Sequence, residues 1–288
     1  MSEPRLTQDI INLYDEYTHA PLARRVFLDR LAMLAGGTAA AYALLPLLEN
    51  NYARAEMVAE GDARLEAGDV KVGEMSAYVV RPKQGDEFPA VLVIHENRGL
   101  NPYIRDVARR VALAGYVAVA PDFLSSAGGT PADEDKARDM IGKLDAQKTL
   151  DYARVMAMYA RTGRADVSGN VGAVGFCWGG GLVNQLAVHD ADLNAAVAFY
   201  GRQPKAADAE KIKAPVMLQY AGLDERINAG IVEYVDALKA AKVEHTVHMY
   251  EGVNHAFHND TNAARYNADA AKLAWDRTIA FFDKHLKA

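Results

Sequence analysis

Cysteine occurs once in the 288 residues, at position 177, inside the glycine-rich stretch VGFCWGGG (174–181). A lone thiol excludes an intrachain disulfide and a multi-thiolate metal site, and leaves two readings: a small core hydrophobe or a reactive group. Gly175-Phe176-Cys177-Trp178-Gly179 has the G-x-nucleophile-x-G spacing, preceded by the apolar run VGAVGF and followed by a helical run. At such a strand-to-helix turn the central residue is forced into a strained backbone conformation that exposes its side chain. Glycines two places before and after remove Cβ atoms that would collide where strand and helix cross. The helix N-terminus then favours thiolate and offers an amide to a developing oxyanion. The chemistry this suits is attack on a carbonyl carbon.

A nucleophile needs a base, and the base needs an orienting acid. Downstream, QYAGLDERIN puts Asp224 in a loop past one strand, and HMYEGVNHAFHND puts His255 in a loop past the next. Singly, Asp224 reads equally well as a turn or helix-capping aspartate and His255 as a polar loop residue. Together with the turn at Cys177 they make an ordered triad. Glu225 competes for the acid but lies one residue further from the strand. His258 forms a His-x-x-His pair with His255, too little by itself to indicate a metal, so none is expected. His95-Glu96-Asn97-Arg98-Gly99 follows the strand PAVLVI. There the backbone amides of Asn97 and Trp178 are candidate oxyanion donors. Glu96 reads either as a loop carboxylate paired with Arg98 or as a group controlling the ionisation of Cys177.

These residues need a scaffold, and the chain from about Asp69 supplies one by alternating strands and helices. DVKVGEMSAYVVRP reads as a hairpin around Gly73-Glu74; PAVLVIHE, YVAVAPD, VGAVGF, LNAAVAFYG, APVMLQYAG and EHTVHMYEG read as strands. Helices are expected over NPYIRDVARRVALAG, in one long region from about 131 to 159, from 179 to 189, over AGIVEYVDALKAA and over AAKLAWDRTIAFFDKHL. Near-continuous apolar strands alternating with helices predict a mostly parallel sheet covered on both faces, with reactive groups at the strands' C-terminal ends. The net charge of −6 comes with no basic stripe, which excludes a nucleic-acid partner on electrostatic grounds.

Residues 1–55 differ in character from the catalytic domain expected over 56–288. LTQDIINLYDEY has helical spacing, and Arg24-Arg25 before an apolar stretch from Ala32 to Leu48, with Ala53-Arg54-Ala55 beyond it, resembles a twin-arginine export signal. Against this, Ala23 and Asp29 depart from the usual signal, Gly36-Gly37 and Pro46 interrupt the apolar stretch, and its length is short of a stable membrane span. The two readings are a helical extension retained on a cytoplasmic enzyme, where it could serve a homo-oligomer interface, and a periplasmic export signal.

On the motifs HENRGLNPYIRDVARRVA, GYVAVAPDFLSS, VGFCWGGG, AFYGRQ, GLDERIN and GVNHAFHND, the chain from about residue 70 onward resembles the dienelactone hydrolase (carboxymethylenebutenolidase) family, in its long bacterial branch with an N-terminal extension. The resemblance implies an α/β-hydrolase fold, hydrolysis of small esters or lactones through a thioester, no cofactor, and a Cys177–His255–Asp224 triad with Glu96 assisting thiolate formation. It also implies arginines that hold a substrate carboxylate. The arginine expected four residues after the histidine is Asn259, and Arg138 corresponds loosely to the other. Arg98, Arg202 and Arg226 lie in loops suited to substitute, and Tyr103 is a further expected substrate contact. The competing reading is a non-hydrolytic thiol protein, a redox sensor or binding protein on the same fold, for which Asp224 and His255 have no purpose.

Overall fold

A computed structural model of the chain describes residues 6–54 and 56–287. Eight strands form one sheet: β1 (Leu65–Val72), β2 (Met75–Pro82), β3 (Phe88–Ile94), β4 (Val117–Asp122), β5 (Val167–Phe176), β6 (Ala195–Phe199), β7 (Val216–Ala221) and β8 (His245–Tyr250), in the order β1-β2-β4-β3-β5-β6-β7-β8. The β1–β2 and β2–β4 pairs are antiparallel; every other pair is parallel. The C-terminal ends of β3, β5, β6, β7 and β8 therefore lie along one rim, and their loops share a single opening.

The helices on the sheet are α4 (Pro102–Leu113), α5 (Glu134–Ile141), α6 (Ala146–Thr162), α7 (Trp178–His189), α8 (Glu225–Asn228), α9 (Ile231–Ala240) and α10 (Ala268–Leu286). The period-2 alternation of the strands divides the core into two layers. Leu92, Val119, Ala173, Ala198 and Leu218 pack with α6, α7 and α9, whereas Val91, Val93, Val174, Val197 and Met217 pack with α4 and α10. The expected long helix from 131 to 159 is two helices. Asp145 ends the break by accepting a hydrogen bond from the Lys148 amide at 2.7 Å, which caps α6 and starts a new axis.

Ahead of the sheet, α1 (Gln8–His19), α2 (Arg24–Ala35) and α3 (Thr38–Leu48) enclose a small core of their own, including Ile10, Tyr14, Phe27, Leu31, Leu44 and Leu48. Gly36, at φ 81°, ends α2 in the left-handed conformation that a Cβ would oppose. Among the described residues no single helix is long and apolar enough to cross a membrane, and α2 and α3, which together have the length, are bent by 109°. Ala55, the last residue of the expected cleavage pattern, lies outside the described residues. Backbone bonds from Asn51 to Thr261 (2.8 Å) and from Ala264 to Leu47 (3.2 Å) fasten the three helices to the loop before α10.

Candidate active site

Cys177 stands at the junction of β5 and α7 with φ 55° and ψ −114°, a conformation rare for a residue with a side chain. The turn closes with the Cys177 amide donating to the Phe199 carbonyl (3.0 Å) and the Gly181 amide donating to the Cys177 carbonyl (3.1 Å). A Cβ at Gly179 would collide with the carbonyl oxygens of Ile94 and His95, and one at Gly175 with the Gly179 carbonyl. Glycine is required at both places for β3, β5 and α7 to approach one another. Cys177 is 8% exposed and borders a cavity of about 580 Å³ that His255, Tyr200, Trp178 and Asn97 also line.

Two loop residues from the rim meet near the sulfur. His255 Nδ1 lies 2.5 Å from Asp224 Oδ2, both groups buried. Because a carboxylate only accepts, Nδ1 carries the hydrogen and Nε2 faces away from Asp224; this nitrogen has no hydrogen-bond partner among the described residues. Burial opposes charge on His255, but Asp224, Cys177 and Asp15 outweigh it and push the imidazole up to about 9. Burial likewise opposes charge on Asp224, and the facing His255 wins, holding the carboxyl below its ordinary range. Glu225, by contrast, points to solvent from the first turn of α8.

The histidine in hydrogen-bond contact with the thiol is a different one. His19, the last residue of α1, places Nε2 3.2 Å from Cys177 Sγ. Its ring stands edge-on to that of His255, with centroids 4.6 Å apart. The thiol and one nitrogen from each imidazole all lie within 4.8 Å of one another. Asp15 backs His19 from one turn earlier, its Oδ1 3.1 Å from Nδ1. Nothing in the sequence singles out this pair: an Asp and a His four apart is a common helix-surface pattern, and its target lies 158 positions away.

The remaining expected residues divide. The backbone amides of Asn97 and Trp178 donate to no protein acceptor among the described residues, and both residues border the cavity beside Cys177. The Asn97 side chain donates to the Thr18 carbonyl at 2.8 Å. Arg138, Arg202 and Arg226 line the cavity as well. Arg98 does not: it is buried, 3.3 Å from Asp135 and 3.9 Å from Glu134, and lines a separate cavity with Tyr14 and Tyr17. Its commitment to these two acids also overturns the Glu96–Arg98 pairing. Nor does Tyr103 reach the cavity, since its hydroxyl is tied to His258 Nδ1 at 2.7 Å in the core. Burial and Arg110 push His258 down to about 3, leaving a neutral imidazole stacked on Phe176, and the group of metal-ligand type around His255 includes His19 and Cys177 rather than His258. Glu96 is buried and accepts from Asn259 Nδ2 at 2.7 Å, with Oε1 unpartnered. Burial raises its pKa against the opposing pull of Arg265 and His255, and no bond joins it to Cys177 among the described residues. Asn259 thus occupies the expected arginine position as the donor to one oxygen of Glu96.

A family model described as "Dienelactone hydrolase family" matches residues 75–286. A "putative carboxymethylenebutenolidase" of Methylorubrum extorquens is 32% identical over 286 residues, covering 92% of this chain and 96% of its own. A protein of the same description from Escherichia coli O157:H7 is 36% identical over 228 residues, 73% of this chain and 83% of its own. The crystal structure of a "putative dienelactone hydrolase" from Klebsiella pneumoniae superposes with a TM-score of 0.70 at 30% identity, covering 76% of this chain and 99% of that one. The α/β-hydrolase fold, the rim of strand-end loops and these likenesses agree: the chain belongs to the dienelactone hydrolase family.

Proposed function

We propose that this hydrolase cleaves small esters or lactones through a thioester on Cys177, with His255 and Asp224 as its acid–base pair. The observation that carries the reading is a thiol on a strained strand–helix turn beside a buried imidazole whose other nitrogen is fixed by a carboxylate. The substrate carbonyl oxygen sits on the amides of Asn97 and Trp178, and the sulfur attacks the carbonyl carbon. His255, charged near neutral pH, protonates the leaving oxygen as the C–O bond breaks. The neutral imidazole then takes a proton from water, and the hydroxide cleaves the thioester. Thiolate leaves more readily than alkoxide from the tetrahedral intermediate, so enol esters and lactones are favoured over amides. Arg138, Arg202 and Arg226 on the cavity wall support substrates bearing a carboxylate.

The decisive experiment is release of chromophore from an activated aryl ester. Wild type is expected to give a burst of one equivalent, Cys177→Ala none, and Cys177→Ser at most about one-hundredth of the wild-type rate, by analogy with loss of an activated nucleophile. Full turnover by Cys177→Ala overturns the mechanism.

We also infer that residues 1–55 stay with the mature enzyme. Arg24, half of the export-signal pair, is bonded to Glu49 and Asp135, and the same segment carries His19 to the thiol. The intact mass of protein recovered from its natural host is expected to include these residues; a product beginning near Glu56 refutes retention.

A further inference from the structure

If a thioester enzyme works here, something must take the thiol proton, and Glu96, held by Asn259, does not touch the sulfur. We propose that Asp15 and His19 form a second imidazole–carboxylate dyad, supplied by the N-terminal extension, that is the general base for Cys177 while Asp224–His255 serves the leaving oxygen and the water. The proposal rests on the hydrolase reading above and adds a catalytic residue from outside the segment matched by the family model.

The tautomer of His19 is fixed by its surroundings. Nδ1 lies 2.8 Å from the Asp15 carbonyl oxygen, which only accepts, and 3.0 Å from the Thr18 hydroxyl, whose own hydrogen goes to that carbonyl; Asp15 Oδ1 stands 3.1 Å away as a neighbouring charge without a hydrogen bond of its own. The hydrogen therefore resides on Nδ1, and the Nε2 lone pair faces the sulfur at 3.2 Å, the geometry needed to receive its proton. The dyad is held from several directions. Asp15 lies 3.7 Å from Arg226 and 3.6 Å from Arg265. Asn97 Nδ2 donates to the Thr18 carbonyl at 2.8 Å, Arg138 Nη1 donates to the Tyr17 carbonyl at 3.1 Å, and Gln8 Nε2 donates to Asn254 Oδ1. The charged and titratable groups facing His19 are thus Asp15 on its own helix, Cys177, His255, Arg226, Arg265, Arg138 and, further in, Glu96. Of the two imidazoles only His19 lies within hydrogen-bond distance of the sulfur, whereas His255 Nε2 has no partner among the described residues and is left for the leaving oxygen.

The proton balance is complete without any further reactant. The Sγ proton passes to His19 Nε2 as the S–C bond forms. The leaving oxygen takes the His255 proton as the C–O bond breaks. His255 then takes one proton from water, the resulting hydroxide breaks the S–C bond, and the departing thiolate recovers its proton from His19. Ester and water become acid and alcohol, and both imidazoles return to their starting states.

Alkylation of Cys177 by iodoacetamide tests this without any ester substrate, so it fails or succeeds separately from the hydrolase assay. In full-length His19→Gln, alkylation at pH 7 is expected to fall roughly 10-fold or more, with its pH profile moved upward so that the rate recovers in alkaline solution. The burst on an aryl ester slows in parallel. His255→Gln is expected to do the opposite, retaining alkylation and accumulating thioester. Should His19→Gln disturb folding, Asp15→Asn gives the same upward shift in smaller measure, and added imidazole restores alkylation in His19→Ala. An unchanged alkylation profile in folded His19→Gln and Asp15→Asn overturns the second dyad.

Discussion

His255 and Asp224 tie the chemistry of the site to the stability of the protein. The folded state lifts His255 to about 9 from an ordinary value near 6.5, so its contribution to stability is complete below about pH 6.5 and is lost as pH rises through about 9. Asp224 works in the opposite sense. Its depressed carboxyl stabilises the fold above its ordinary range, and that contribution is lost as pH falls. The melting temperature of wild type is therefore expected to drop by a few degrees between pH 6.5 and 9.5, and His255→Gln to flatten that slope; calorimetry across the interval checks it, and equal slopes refute the coupling. The positions of Cys177, Asp224 and His255 were legible because each follows an apolar strand whose end the sequence marks. Arg98 and Tyr103 were not, because closeness to Glu96 and Asn97 along the chain says nothing about which side of a loop or helix a side chain takes. Asp15 and His19 were hidden for a complementary reason: their partner is set by how one distant helix docks, which no local pattern encodes.

At the scale of elements, the strand–turn–helix at Cys177 is a packing constraint before it is a catalytic one. Gly179 lies where α7 crosses the end of β3, facing the carbonyls of Ile94 and His95. Those carbonyls belong to rigid backbone and have little room to yield. Gly179→Ala is expected to force β3 and α7 apart, costing about 1–3 kcal/mol and most of the aryl-ester burst, because the Trp178 amide and Cys177 move together. Gly128→Ala serves as the comparison. Unlike helical Gly179 it has a left-handed φ of 98°, but no neighbour lies within 4 Å of its Cβ position, so it pays only the backbone strain and leaves the burst intact. A thermal melt combined with the burst assay separates the two. Strand alternation and the closing helix could be read directly from period and length. The break between α5 and α6 could not, since Gly142 to Asp145 interrupts the helical pattern too briefly to register until the Asp145 cap is seen.

At the scale of the whole molecule, the site depends on two cores that are packed separately. The sheet and its helices hold Cys177, Asp224 and His255, while the core of α1, α2 and α3 positions His19 and the cavity wall formed by Thr18, Ala20 and Pro21. Leu44 is fully buried between these three helices and touches no part of the sheet's core. Truncating it removes apolar contacts from the smaller core alone, at a cost of about 2–5 kcal/mol. Because so small a core has few contacts in reserve, that loss is a large share of what keeps α1 docked. Leu44→Ala is therefore expected to raise hydrogen exchange across Gln8–Leu48 while β3, β5 and β6 keep their protection, and to slow the aryl-ester burst by loosening His19. If exchange rises by the same factor throughout the chain, the two cores unfold as one and the extension is an inseparable part of the fold. If exchange rises only in the extension while the burst is unaffected, α1 is a cover over the cavity and contributes nothing to the reacting groups.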